Sequence, residues 1–244
     1  MSESSQTNDL RNRIFFTIFI LAIYRLGTFV PLPGIDPEQL QIMMEGNQKG
    51  LLGMFNVFAG GAVSRMAIFA LGIMPYISSS IIMTLMQSAI PFLKSLKEQG
   101  SKGRRQLLQY TRYVTVLIAA IQGYGVSIGL ESMQTTYGNI VFEPGIFFRL
   151  TTVITLVGGT VFLMWLGEQI SSRGVGNGIS LIITAGIIAN LPSAVVSTLQ
   201  LGRTGELSVA FILSILILIL GLIIFIVFVE KGQRRLIVQY PKRQ

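Results

Sequence analysis

The chain contains no cysteine and no histidine. The first absence excludes disulfides, thiol catalysis and thiolate metal sites, and leaves the redox compartment unmarked. The second removes the usual general base and the commonest metal ligand. Charge is scarce as well, at 12% of residues, so few groups remain to build a reaction centre. An aspartyl dyad within an apolar segment fails because Asp9 and Asp36 both fall outside the long apolar runs, and a serine nucleophile would find no lysine inside any of them. Glu168 and Glu230 stand at the ends of such runs, which suits interfacial contacts better than a buried acid. No catalytic residue, metal site or cofactor is expected, and the chain does not read as an enzyme.

What is present is hydrocarbon. Hydrophobic residues make up 51% of the chain and mean hydropathy is +0.64, in blocks long enough to cross a bilayer, which takes about 20 apolar residues. Six spans are expected, at Ile14 to Pro33, Ile68 to Ile90, Val114 to Leu130, Ile146 to Trp165, Ile179 to Leu199 and Leu207 to Val229. The first is too long for the core of a signal peptide, lacks a small-residue cleavage motif and ends in the turn-forming PLPG of Pro31 to Gly34, so it is expected to stay in the protein.

The net charge of +8 matters here through its placement. One alternating set of connections holds Arg11 and Arg13; Lys94, Lys97, Lys102, Arg104, Arg105 and Arg112; Arg173; and Lys231, Arg234, Arg235, Lys242 and Arg243. The other set holds Lys49, Arg65, Arg149 and Arg203. By the positive-inside rule both termini are expected on the cytoplasmic side, as an even number of spans requires.

Between the first two spans lies Leu51 to Val63, LLGMFNVFAGGAV, too short to span and broken by Gly53, Gly60 and Gly61. Such a segment is expected to be re-entrant beside a cavity, since irregular backbone at membrane depth needs protein or a cavity around it. Arg25, inside the first span, is expected to face the bundle, either packed against carbonyls or an acidic group or acting directly in function. Pro75, followed by Ser78, Ser79 and Ser80, reads as a kink in the second span, or as the border of something mobile. Ile73 with Ile77, and Ile179 with Ile183, are four residues apart and share a helix face. Each pair reads as lipid-facing or as part of a hydrophobic constriction, which gates by dewetting. The glycines of Gly167 to Gly178 lack the strand context of a nucleotide site and read as a flexible turn. The basic loop from Lys94 to Arg112 and the tail from Glu230 read as topology determinants or as phosphate-binding surfaces.

Five motifs, RLGTFVPLPGID from Arg25, FNVFAGGAVSRMAIFALGIMPYISSSII from Phe55, GRRQLLQYTRY from Gly103, FLMWLGEQISSRGVGNGIS from Phe162 and FVEKGQRRLIVQYPKRQ from Phe228, together resemble the bacterial SecY family of protein-translocase channel subunits over essentially the whole chain. The resemblance implies an all-α polytopic half-bundle: a cytoplasmic tail at 1–13, six transmembrane helices over 14–229 with a plug at about 51–65, and the start of a basic cytoplasmic loop at 230–244. It implies a plug containing Leu52, Met54, Phe55, Phe58, Gly60 and Gly61, and a pore ring to which Ile73, Ile77, Ile179 and Ile183 contribute. Ser78 and Ile81 would belong to a lateral gate. Arg104, Arg105, Lys231, Arg234, Arg235, Lys242 and Arg243 would meet the ribosome or the SecA ATPase.

The implied function is passage of unfolded preproteins across the bacterial inner membrane and release of membrane helices into it. The implied partners are SecE- and SecG-type subunits, SecA, the ribosome and nascent chain, signal sequences, membrane lipid and the second half of the channel. The family normally has ten spans, so the other gate wall is expected from the rest of a longer chain or from a second polypeptide. A non-conducting docking module for ribosome or SecA is the alternative, and half of a small-solute transporter a more distant one.

Overall fold

In the computed structural model, residues 3–36, 39–40, 56–135, 138–204 and 208–232 are described. Their helices are α1 (Glu3–Gly27), α2 (Met74–Ala89), α3 (Pro91–Glu98), α4 (Ser101–Ser132), α5 (Ile146–Arg173), α6 (Gly178–Arg203) and α7 (Val209–Lys231). A minimal antiparallel pair, β1 (Gln134–Thr135) and β2 (Gly138–Asn139), lies between α4 and α5. The fold class is the expected one, an all-α membrane protein.

Among the described residues, α4, α5, α6 and the Ala210–Lys231 stretch of α7 are long and apolar enough to cross a bilayer. A fifth span is made if α2 and α3 count as one, although the chain bends by 98° between them. This is fewer than the six expected. The difference is α1, whose helix carries Asp9, Arg11, Arg13 and Arg25, leaving an uncharged run of only Ile14 to Tyr24.

Two other boundaries depart from expectation. The first span is expected to reach Pro33, but α1 ends at Gly27 and the chain leaves it through a turn into isolated bridges: the Leu32 amide donates to the Met66 carbonyl (2.9 Å) and the Ile68 amide to the Val30 carbonyl (2.9 Å). A few residues on, the Asp36 amide donates to Ile140 (2.9 Å) and the Phe142 amide to Gly34 (3.2 Å). This ribbon seals a core of Leu32, Ile35, Met66, Ile140, Val141 and Phe148. The second span is expected from Ile68, but 59–73 runs as successive turns and α2 starts at Met74. Gly72, at φ +56°, cannot extend a right-handed helix backwards, and Pro75 sits in the first turn, where its missing amide costs nothing. Pro75 thus starts the helix and does not kink it.

The basic stretch from Lys94 to Arg112 is likewise helical, in α3 and the first turns of α4, joined at Gly100 (φ +69°). The glycine-rich Gly167 to Gly178 is mostly helix too. Only 174–177 connects α5 to α6, tied down by the Val175 amide on Thr17 Oγ1 (3.2 Å) and by Asn177 Oδ1 capping the Ile179 and Ser180 amides (3.1 and 3.2 Å).

The chain divides into two compact units, Met1–Asn190 and Leu191–Gln244, with Pro192 inside α6 beside the boundary. In the first unit, α4 buries Gly103, Leu107, Thr111, Thr115, Ala119, Gly123 and Ser127, one every four residues. Mostly small side chains at this spacing form a row inclined to the helix axis that lets neighbouring helices approach closely. Gly123 comes up against Val153 and Leu156 of α5. The α4–α5 hairpin is closed by an ion pair at each end: Arg112 with Glu168, doubly bonded at 2.9 and 2.6 Å, and Arg149 with Glu131, whose other oxygen accepts the Gly145 amide (2.9 Å). In the second unit α7 is apolar on every face and exposed along its length, the pattern of a helix meant for lipid.

Candidate pore and stopper site

Three branched side chains meet where α2 begins. Ile73 is the residue before α2 and is 6% exposed, Ile77 follows one turn later with its amide on the Ile73 carbonyl (3.0 Å), and Ile183 comes from α6. With Phe58, Ala59 and Gly72 they line a cavity of about 160 Å³. None of its lining residues is titratable, so the site has nothing with which to bind a metal, move a proton or select an ion by charge. Its chemistry is exclusion: water in so apolar a space has no partners.

The fourth expected ring residue, Ile179, is not part of this lining. It shares a face with Ile183 but sits one turn lower, packed against Gly167 of α5. Ile182, between them, is fully buried in the same core as Ile73.

The short apolar segment reaches this cavity through Phe58, which is 43% exposed. Leu52, Met54 and Phe55 lie outside the described residues. From Asn56 onward the segment is a compact turn: the Gly61 amide donates to the Asn56 carbonyl (2.8 Å) and the Ser64 amide to Asn56 Oδ1 (2.9 Å). Gly60 and Gly61 adopt φ +66° and +84°, a region that L side chains rarely enter. The Gly60 carbonyl accepts 2.6 Å from Arg25 Nη1, so the arginine of α1 meets a carbonyl and not an acid. Arg25 and Arg65 also both lie over the Phe29 ring, at 5.0 and 4.2 Å from its centroid, a cation–π arrangement of two like charges. Burial first, and the Arg25 charge second, push the Arg65 guanidinium below its ordinary pKa.

Asn56 and Arg65 were not singled out from the sequence, beyond Arg65 as one of the few charges on its side. Neither belongs to a periodic pattern, and only the turn brings them to Gly61 and Phe29.

On α2, Pro75, Ser79 and Met83 are buried, and Ser79 Oγ donates to the Thr111 carbonyl of α4 (2.7 Å). Ser78 and Ile81 project off this seam; Ser78 is half-buried and Ile81 is 57% exposed. The hydroxyls after Pro75 therefore do not repair a kink, since Ser79 fastens one helix to the next. Arg104 and Arg105 are exposed in the first turns of α4, and Lys231 is exposed at the end of α7. Arg104 and Lys97 border a cavity of about 670 Å³ at the α2–α3 bend, with Ser80, Thr84 and Gln87. Arg234, Arg235, Lys242 and Arg243 lie outside the described residues.

Among known proteins, the SecY family profile matches residues 67–244. The protein translocase subunit SecY of Rickettsia typhi is 55% identical over 238 residues, covering 98% of this chain and 55% of its own. That of Escherichia coli K12 is 48% identical over 236 residues, covering 97% of this chain and 53% of its own. The chain thus spans about half the length of the curated relatives it matches. Two solved structures, a protein conducting channel and Sec61 in a canine ribosome-channel complex from the endoplasmic reticulum, each superpose with a TM-score of 0.50 at 15% identity. Each match covers 71% of this chain and 35% of the other, a likeness of fold. With its profile match over most of its length, its membrane helices and its relatives, the chain belongs to the SecY family.

Proposed function

We propose that the chain is the N-terminal part of the pore-forming subunit of a protein-conducting channel, passing unfolded preproteins across, and releasing membrane helices into, the bacterial inner membrane. The apolar cavity where Phe58 meets Ile73, Ile77 and Ile183 carries this reading, together with the family membership. A polypeptide in transit has no common charge or shape to recognise. Aliphatic side chains fit loosely around any of them and, once it has left, close a path too dry for ions.

In this reading Ile73, Ile77, Ile179 and Ile183 belong to the ring, and the segment at about 51–65, with Leu52, Met54, Phe55, Phe58, Gly60 and Gly61, is the plug on the outer side. Ser78 and Ile81, turned away from the α4 seam, stand on a lateral gate through which a signal sequence reaches lipid. Residues 1–13 and 230–244 are cytoplasmic, and α1 lies in the membrane with its Arg25 charge satisfied by the Gly60 carbonyl. Arg104, Arg105, Lys231, Arg234, Arg235, Lys242 and Arg243 face the ribosome or SecA. SecE- and SecG-type subunits and the second half of the channel complete the assembly.

Reconstitution tests this. With the remaining half and the SecE-type subunit in vesicles, SecA and ATP should bring a preprotein into a protease-protected compartment. Ribosome or SecA binding without any protected preprotein would instead favour a docking module and remove the channel reading.

A further inference from the structure

The turn at 58–61 is gripped from two sides. On one, Arg25 Nη1 holds the Gly60 carbonyl at 2.6 Å, and the Tyr24 hydroxyl lies so near Gly60 that a Cβ there would come within 2.8 Å of it. On the other, α6 presents Gly186, where an added Cβ would meet the Phe58 carbonyl at 3.0 Å and the Gly60 amide at 3.2 Å. Backbone is thus pressed against backbone, with a single charge-assisted hydrogen bond as the polar tie. Arg65 shares the Phe29 ring with Arg25 in the same cluster, 4.2 Å from the ring centroid, its guanidinium about 3.5 Å from where a Gly61 side chain would begin. Two like charges sharing one aromatic ring repel one another, so Arg65 opposes the position that Arg25 must keep.

We propose that Tyr24, Arg25 and Gly186 form a catch that holds the 58–61 turn against the apolar cavity, and that Arg65 sets how readily the catch releases. Arg25 is a positioning residue: it acts through the backbone of the turn and does not line the cavity. The functional meaning of release rests on the channel reading above, whereas the catch itself does not.

Because the chain has no cysteine, one introduced thiol reports alone. Phe58→Cys would be labelled with a membrane-impermeant maleimide in native membranes holding the intact chain. Arg25→Gln should speed labelling roughly tenfold, the scale of a lost charge-assisted hydrogen bond. Gly186→Ala, which leaves Arg25 in place and crowds the turn from the other side, should speed it as well. Arg65→Gln should slow it. This opposite sign separates the catch from loosening in general, and Glu143→Cys, on an exposed loop, should keep its rate in all three backgrounds. Unchanged Phe58→Cys labelling in both Arg25→Gln and Gly186→Ala would overturn the catch, as would faster labelling of both thiols or faster labelling in Arg65→Gln. Translocation is not read in this experiment, so a failed channel reading and a failed catch are told apart.

Discussion

Isoleucine 73 is nearly enclosed, whereas Ile77 and Ile183 are half-buried and turned to the cavity. In the proposed channel this difference would separate stability from gating. Ile77→Gly and Ile183→Gly remove hydrocarbon from the constriction and should raise ion leak through the reconstituted assembly. Ile179→Gly, whose side chain packs on Gly167, should raise it less; planar-bilayer conductance checks the order, and equal leak from all three would sink the assignment. Ile73→Ala should instead cost about 2–5 kcal/mol of stability, measured by unfolding in detergent, because it empties a core position. The two isoleucine pairs were legible from four-residue spacing alone, whereas for Arg25 the sequence left carbonyls, an acidic group and a direct functional role open, and the turn at Gly60 decided for a carbonyl. Which member of a pair meets the cavity was not, since spacing gives a face and the neighbouring helix decides what that face meets.

Helix ends were harder to read than helix interiors. Hydropathy runs straight through 68–73 and places the start of the second span at Ile68; the backbone at Gly72 and the demand of Pro75 for a first-turn position set it at Met74. The turns that lead into that helix are held by α5, where Gly159 lies directly under the Ile68 carbonyl. Gly159→Ala would drive a methyl group into backbone that cannot rotate away. Its expected cost is about 1–3 kcal/mol by unfolding in detergent, with faster proteolysis of the 59–73 turns. Ser79→Ala should cost less, about 0.6 kcal/mol, the usual worth of one interhelical hydrogen bond in a membrane. The α4 seam was latent in the sequence as mostly small residues at every fourth position, but glycine, threonine, alanine and serine are too weakly hydrophobic to mark a buried face in a hydrophobicity pattern.

For the molecule as a whole, charge placement carried more information than net charge. The asymmetry that fixes the expected orientation also puts Arg104 and Arg105 on exposed turns of α4. If this face meets ribosomal RNA, co-sedimentation with ribosomes should weaken steeply as salt rises, and Arg104→Ala with Arg105→Ala should flatten the slope by about one to two phosphate contacts. A slope unchanged by both substitutions would place the contact elsewhere. The ion pairs that close the α4–α5 hairpin carry a different consequence. Residues 112 to 131 on α4 and 149 to 168 on α5 are the same interval, about 28 Å of helix at 1.5 Å per residue, close to the roughly 30 Å of a bilayer's hydrocarbon. With charge fixed at both of its ends, the hairpin is a ruler: a markedly thicker membrane would draw one pair into hydrocarbon unless the lipid thinned around it.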